Sequence, residues 1–298
     1  MRVLVAGASG FVGRRLCPAL IDAGHDVLAM TRRPDSYRGA GQPVHGDVAD
    51  IGSLRDALKN VEAAYYLVHS LDSTDFQQRD AAAARAFARA AAEAGVRRIV
   101  YLGGLGDDAD SLSAHLASRR EVEQLLAETG VPVTVLRAGI VIGHGGTSWE
   151  LTRQLVERLP AMITPRWVGT RTQPIALADV VRYLAGVLEH PETEGRTFDI
   201  GGPEVLTYRD MLQRVAVIEG RMLAIVPVPL LTPRLSSYWL SLVTDIDATT
   251  GRALIDSMGN EVVVRDDAIR RIVDFEPMGY NDAVLQALGE RARRRRAK

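Results

Sequence analysis

Three glycines stand three residues apart in Gly7-Ala8-Ser9-Gly10-Phe11-Val12-Gly13, between a short apolar run at 2–6 and an amphipathic stretch at 12–23. In that context they allow, in turn, a tight turn, a close approach of backbone to a phosphate, and close helix–strand packing. Amides of the first helical turn then face a pyrophosphate at the positive end of the helix dipole. The glycines alone also permit a flavin or another nucleotide. Arg32 and Arg33 follow the second apolar run. A fold of this kind that prefers NAD carries an acidic residue there, whereas a guanidinium suits the 2′-phosphate of NADP. NADP(H) is therefore expected over NAD(H). Asp47, in Gly46-Asp47-Val48, can accept from an adenine amino group or cap the next helix.

These groups need elements to hold them. Strand-like runs fall at 2–6, 26–30, 63–68, 98–102 and 132–137, with a weaker one at 43–45. Helical patterns fill 12–23, 53–58, 76–94 and 114–129, and the longer three close on Gly24, Gly95 and Gly130. Apolar strands alternating with helices predict a doubly wound parallel α/β sheet of the Rossmann type. Pro18, inside the first helix, predicts a bend. After residue 143 the rhythm changes. A helix at 150–159 precedes a helix at 177–188 and a strand at 196–200 that return to the first sheet. Helices at 208–219 and 233–243 flank an apolar run at 223–228. The expected organisation is a nucleotide-binding domain over 1–143, rejoined by 173–203, and a smaller substrate lobe from 144–172 and 204–298.

The bulk composition narrows the function. A net charge of −1 provides no general field for nucleic acid or an acidic membrane. The basic run at 291–298 reads as a solvated tail. No apolar stretch reaches bilayer length, and the opening run meets a glycine instead of a cleavage site. One cysteine, Cys17, leaves no internal disulfide or cysteine-rich zinc site. A cytoplasmic protein, monomeric or homodimeric, with a small-molecule substrate and no metal, is expected.

The glycine motif, Gly46-Asp47-Val48, Tyr65-Tyr66-Leu67-Val68-His69-Ser70 and Tyr101-Leu102-Gly103-Gly104-Leu105 together resemble the atypical and extended short-chain dehydrogenase/reductase superfamily, in particular its NmrA-like and nucleoside-diphosphate-sugar-epimerase-type bacterial members. The likeness continues through Thr172-Gln173-Pro174-Ile175 and Phe198-Asp199-Ile200-Gly201-Gly202-Pro203, about two thirds of the chain. It implies that Gly7, Ser9, Gly10, Phe11, Val12 and Gly13 line the pyrophosphate and that Arg32 takes the 2′-phosphate. Asp47 and Val48 take the adenine. Leu67, Val68, His69 and Ser70 flank the riboses with Gly103 and Gly104, and Ala138, Gly139 and Ile140 approach the nicotinamide.

The superfamily's usual proton-transfer set is a Tyr-x-x-x-Lys pair and a serine at the end of the fifth strand. Here His115 and Arg119 stand in the Tyr and Lys places, and the strand ends in Gly103-Gly104. Residues four apart share a helix face. Histidine titrates near neutrality, whereas arginine holds a ribose or carboxylate and keeps its proton. A surface helix with an idle His and Arg is the competing reading. His69 and His144 read as structural. Trp149, Met162, Trp167, Tyr238 and Trp239 can wall a pocket, with Arg166, Arg171 and Gln173 as polar anchors, although each taken singly reads as core or rim. The leading expectation is an NADP(H)-dependent oxidoreductase acting on a largely apolar small molecule. A catalytically silent NAD(P)H sensor of the NmrA-like type is second. Sugar-nucleotide epimerisation is third, because it needs the missing tyrosine.

Overall fold

Val3 and Val5 point to one side of their strand and Leu4 and Ala6 to the other, and all four are fully buried. A strand with both faces covered is the mark of a parallel sheet between helical layers. A computed structural model describes residues 1–70, 75–107, 111–227 and 244–296. In chain order the first half runs β1 (Arg2–Ala6), α1 (Gly13–Asp22), β2 (Asp26–Thr31), β3 (Gln42–His45), α2 (Ile51–Ala57), β4 (Ala63–Tyr66), α3 (Phe76–Glu93), β5 (Arg98–Gly104), α4 (Ala114–Ala127) and β6 (Val133–Ala138). Then come β7 (Val141–Ile142), α5 (Thr147–Arg158), β8 (Ala161–Thr164), β9 (Arg171–Thr172), β10 (Ile175–Ala176), α6 (Leu177–Gly186) and β11 (Thr197–Ile200). The remainder is β12 (Leu206–Thr207), α7 (Tyr208–Ile218), β13 (Ala224–Pro227), α8 (Ala248–Ser257), α9 (Ala268–Ile272) and α10 (Tyr280–Arg296).

Seven strands form one sheet in the order β11-β6-β5-β4-β1-β2-β3, each pair parallel. This is the doubly wound α/β sheet expected from the sequence. One face packs Val3, Val5, Leu16 and Leu20 against Val180, Tyr183 and Leu184 of α6. The other packs Leu4, Leu28 and Ile99 against Leu54 of α2, Phe87 of α3 and Leu125 of α4. Each large side chain so buried contributes roughly 1.5–3 kcal/mol. After β3 the chain crosses to the far side of β1, so β1 and β4 diverge at a topological switch point, where such sheets open a crevice at their carboxyl ends.

Helix α1 stops at Gly24, whose φ of 84° lets the amides of Gly24 and His25 reach back to Ile21 and Leu20. Gly95 and Gly130, also at positive φ, follow α3 and α4. Helix α1 continues through Pro18. The expected strand at 63–68 ends instead at Tyr66: Leu67 still donates to the Ala6 carbonyl, and the next residues leave the sheet to line the crevice. The strand expected to end at 102 extends to Gly104, paired with Ala138. A second core gathers Trp149, Leu151 and Leu155 of α5, Tyr208 and Met211 of α7, Ile255 of α8 and Val284 of α10. The run at 223–228 contains β13, paired with β8. The helix expected at 233–243 lies outside the described residues.

Candidate functional site

The loop between β1 and α1 is built around contacts that no side chain would survive. Gly7 has φ of 90°, and a Cβ there would stand 2.9 Å from the Leu67 carbonyl oxygen, so the ends of β1 and β4 touch. At Gly13 a Cβ would fall 2.2 Å from the Gly7 carbonyl oxygen. The Gly10 amide closes the turn on that same oxygen at 2.9 Å. Val12 caps α1 with no side-chain hydrogen bond, and no acidic residue occupies the first turn. Arg14 N and Arg15 N already donate to the Gly10 and Val12 carbonyls, so it is the preceding amides, at Phe11, Val12 and Gly13 on the cavity wall, that stand at the positive end of the helix dipole, where an anion fits.

From this loop a cavity of about 880 Å³ crosses the carboxyl ends of the strands. It is at the upper end of the roughly 300–1,000 Å³ of small-molecule sites. It brings together Gly7, Ser9, Gly10, Phe11, Val12 and Gly13, then Arg32, Asp47 and Val48, then Leu67, Val68, His69 and Ser70. Gly103, Gly104, His115, Arg119, Ala138, Gly139 and Ile140 complete that side. Arg33 lines an adjoining cavity of about 670 Å³, which Arg32 also lines. Asp47 does not cap α2; Asp50 does, accepting from Gly52 N at 2.9 Å. The Asp47 carboxylate instead accepts from Ala49 N at 3.0 Å and stays on the cavity wall.

Helix α4 is capped by Ser113, whose hydroxyl accepts from Leu116 N. It delivers His115 and Arg119 to the same cavity. His115 is half-buried, and burial, the Arg119 guanidinium and His69 together push its pKa down to about 3. The imidazole is neutral across the physiological range. Arg119 donates to the Leu102 carbonyl at 3.2 Å and lies 5.5 Å from the Tyr101 ring centre. Behind it, buried Asp80 of α3 is hydrogen-bonded by Ser70; burial raises the pKa of this carboxyl, while Ser70 and Arg119 pull it back. The crevice loop and α4 therefore share one electrostatic support.

The structure also explains why the fifth strand ends in glycine. A Cβ at Gly104 would meet Leu116 at 2.9 Å, and one at Gly103 would meet the Glu123 carboxylate at 2.7 Å. Glu123 is buried and holds Arg120 at 2.9 Å and Arg137 at 2.7 Å. Helix α4 is drawn so tightly onto β5 and β6 that the place of a strand-end serine is filled.

Several pocket candidates belong elsewhere. Trp149 is fully buried in the second core, and Met162 is buried with it. Trp167 meets Tyr208 edge-on at 5.7 Å without lining the cavity. Gln173 is a buried brace, bonded to Gly202 O and Val264 N. Arg171 is exposed beside Glu261. The Arg166 side chain, Tyr238 and Trp239 lie outside what is described. His144 pairs with Glu150 and stays off the cavity. The walls come instead from Ser148 of α5, Tyr208 of α7, Leu254 and Ser257 of α8, Met258 just after it, and Val262. The sequence signals a helix at 208–219 but nothing that aims it at the crevice. Among the described residues no acidic, His or Cys cluster could hold a metal ion, and no helix is long and apolar enough to cross a membrane.

Residues 7–191 match a family described as NAD(P)H-binding. A Streptomyces griseus protein, (4-alkanoyl-5-oxo-2,5-dihydrofuran-3-yl)methyl phosphate reductase, is 31% identical over 232 residues, covering 74% of this chain and 75% of that protein. An uncharacterized Mycobacterium tuberculosis protein is 27% identical over 239 residues; the match takes in 80% of this chain and 25% of that protein. Among solved structures, an Escherichia coli NADPH-dependent quinone oxidoreductase bound to NADPH superposes with a TM-score of 0.79 at 19% identity, covering 96% and 99% of the two chains.

Proposed function

The chain belongs to the NAD(P)H-binding family, and from that premise we propose that it is an NADP(H)-dependent oxidoreductase that reduces a small, largely apolar molecule at an electron-poor carbon. The observation that carries this reading is the single cavity joining the Gly7–Gly13 turn to apolar walls at Leu105, Leu116, Leu254, Met258 and Val262. When bound, the cofactor supplies hydride, and the protein supplies position and electrostatics. The glycine turn and the amides of Phe11, Val12 and Gly13 that lead into α1 hold the pyrophosphate. Arg32 and Arg33 receive the 2′-phosphate, Asp47 and Val48 border the adenine, and Arg119 and His69 stand by ribose oxygens. The lobe of 144–172 and 204–298 encloses the substrate.

The protonation states select the kind of acceptor. An isolated ketone becomes an alkoxide on receiving hydride and calls for a proton donor matched to neutral pH. A quinone or conjugated carbonyl becomes a delocalised anion, which water protonates. His115, neutral, offers an N–H hydrogen bond instead of an acidic proton, and Arg119 adds fixed positive charge nearby. Tyr208, whose phenol burial holds above its ordinary pKa, is a further neutral donor on the wall. The names of the Streptomyces and Escherichia relatives, an unsaturated-lactone reductase and a quinone oxidoreductase, agree with such acceptors.

The low pKa of His115 also favours the second reading, a cofactor sensor without turnover. Steady-state NADPH oxidation with quinones, unsaturated lactones and isolated ketones decides between them. The expected result is turnover of the conjugated acceptors with isolated ketones inert. Tight NADPH binding with no turnover across the panel would replace the oxidoreductase with the sensor.

A further inference from the structure

The adjoining cavity of about 670 Å³ opens off the nucleotide crevice, sharing Ser9, Thr31 and Arg32 with it. Six arginines line it: Arg14, Arg15, Arg32, Arg33, Arg38 and Arg294. No aspartate or glutamate does. Only Arg15 is neutralised by a carboxylate within reach, that of Glu290 at 2.5 Å. Arg38 spends its donors on the Asp35 and Tyr37 carbonyls, which carry no net charge. Arg14, Arg32, Arg33 and Arg294 form no ion pair with any described residue. A concave site with this much uncompensated positive charge is shaped for a dianion.

The unexpected member is Arg294. It lies in the basic run that reads from sequence as a solvated tail, yet that run is the end of α10. Arg291 on the same helix pairs with Glu157 of α5, and Glu290 pairs with Arg15 of α1. The first pair holds this stretch of helix to α5 and the second brings it against the first turn of α1, just past the glycine loop, and Arg294 follows one turn past Glu290. Building on the NADP(H) reading above, we propose that Arg294 is a specificity-determining residue: together with Arg14, Arg32, Arg33 and Arg38 it encloses the 2′-phosphate, so that NADP(H), and not NAD(H), ties α10 to the nucleotide-binding domain.

The test uses the intact protein and needs no substrate. Dissociation constants are measured for NADPH, NADH, 2′,5′-ADP and 5′-AMP with wild type and with Arg294→Ala, an exposed position whose truncation leaves the core untouched. The expected loss is about five- to tenfold for NADPH and 2′,5′-ADP, the lower range for a charge-assisted contact at an open site, with NADH and 5′-AMP unchanged. A second readout follows trypsin cleavage in the 291–296 arginine run by mass spectrometry. There, 2′,5′-ADP should slow cleavage in the wild type and 5′-AMP should not. If the wild type prefers NADPH but Arg294→Ala keeps the same preference and 2′,5′-ADP gives no protection, the role of α10 is overturned and the NADP(H) assignment stands. If the wild type binds NADPH and NADH equally, both fall.

Discussion

At the scale of the residue, His115 is held neutral by surroundings the sequence shows only in part. Arg119, four residues on, is legible; burial and the approach of His69 are not, because both depend on contacts between distant segments. The consequence is a definite pH dependence. The folded pKa of about 3 lies below the ordinary 6.5, so between those values the unfolded chain binds a proton that the folded chain refuses. His115 therefore contributes stability that is present above 6.5 and lost as the pH falls toward 3. Urea midpoints of wild type and His115→Asn should diverge across that window, the wild type falling more steeply on acidification. Turnover should meanwhile show no ionisation from His115 between about pH 5 and 8, and His115→Ala should lower kcat by about tenfold with NADPH affinity preserved. A kinetic pKa near neutrality that vanishes in the variant would make the imidazole an acid catalyst after all. Two neighbouring glycines separate folding from binding. Gly13→Val drives carbon into the Gly7 carbonyl and should destabilise the fold. Gly10→Val meets only that carbonyl, at 3.0 Å, and should leave a folded protein without cofactor affinity. Far-UV dichroism and calorimetric titration on the pair distinguish the two effects. On the crevice floor, Arg32→Ala should close the NADPH–NADH gap by about 1–3 kcal/mol, read from paired dissociation constants.

At the scale of the element, what was legible was periodicity and what was not was pairing. The continuous apolar runs at 2–6 and 63–66 announce strands covered on both faces, and glycines at 24, 95 and 130 end helices where the pattern fades. Leu67 and Val68 are as apolar as the strand before them, so nothing local says that the sheet ends at Tyr66. The divergence of β4 from β1 at the crevice decides it. Trp149, an aromatic in a segment of changed rhythm, looks like a pocket wall but fills a core that also draws on α7, α8 and α10. The Gly103-Gly104 ending was legible as the absence of a serine, whereas its cause, the Glu123 carboxylate and Leu116 pressed against β5, required the packed helix. That junction carries its own prediction. Glu123→Ala removes the carboxylate that Arg120 and Arg137 share, while Arg120 keeps its bond to the Gly106 carbonyl, and should cost about 2–3 kcal/mol in chemical denaturation. It should also loosen α4 and with it the position of His115 and Arg119. Glu123→Gln, which keeps the shape and some of the hydrogen bonds, should cost less.

At the scale of the molecule, the crevice at the β1–β4 switch is closed on one side by segments drawn from beyond residue 143, so a cofactor held across it would link two cores. The nucleotide side contributes the glycine turn, Arg32 and Asp47, and the later segments contribute Ser148, Tyr208, Leu254 and Met258 to the same cavity. Ile140 and Ile142, immediately after the end of β6, already belong to the second core, so no independent linker separates the two. All three tryptophans, Trp149, Trp167 and Trp239, lie after residue 143, which gives a spectroscopic probe of that region alone. With the cores joined through β6 and α6, tryptophan fluorescence and far-UV dichroism should report one coincident thermal transition, as a single cooperative unit requires. A ligand that binds only the folded form at about a hundred times its dissociation constant adds about 2.7 kcal/mol. For a chain of this length that raises Tm by about 5 °C. Saturating NADPH should shift both signals together by about that amount, and NADH at the same concentration should shift them less. If the dichroism transition rises while the fluorescence transition stays in place, the later segments unfold on their own and the cofactor stabilises the sheet without holding the lobe.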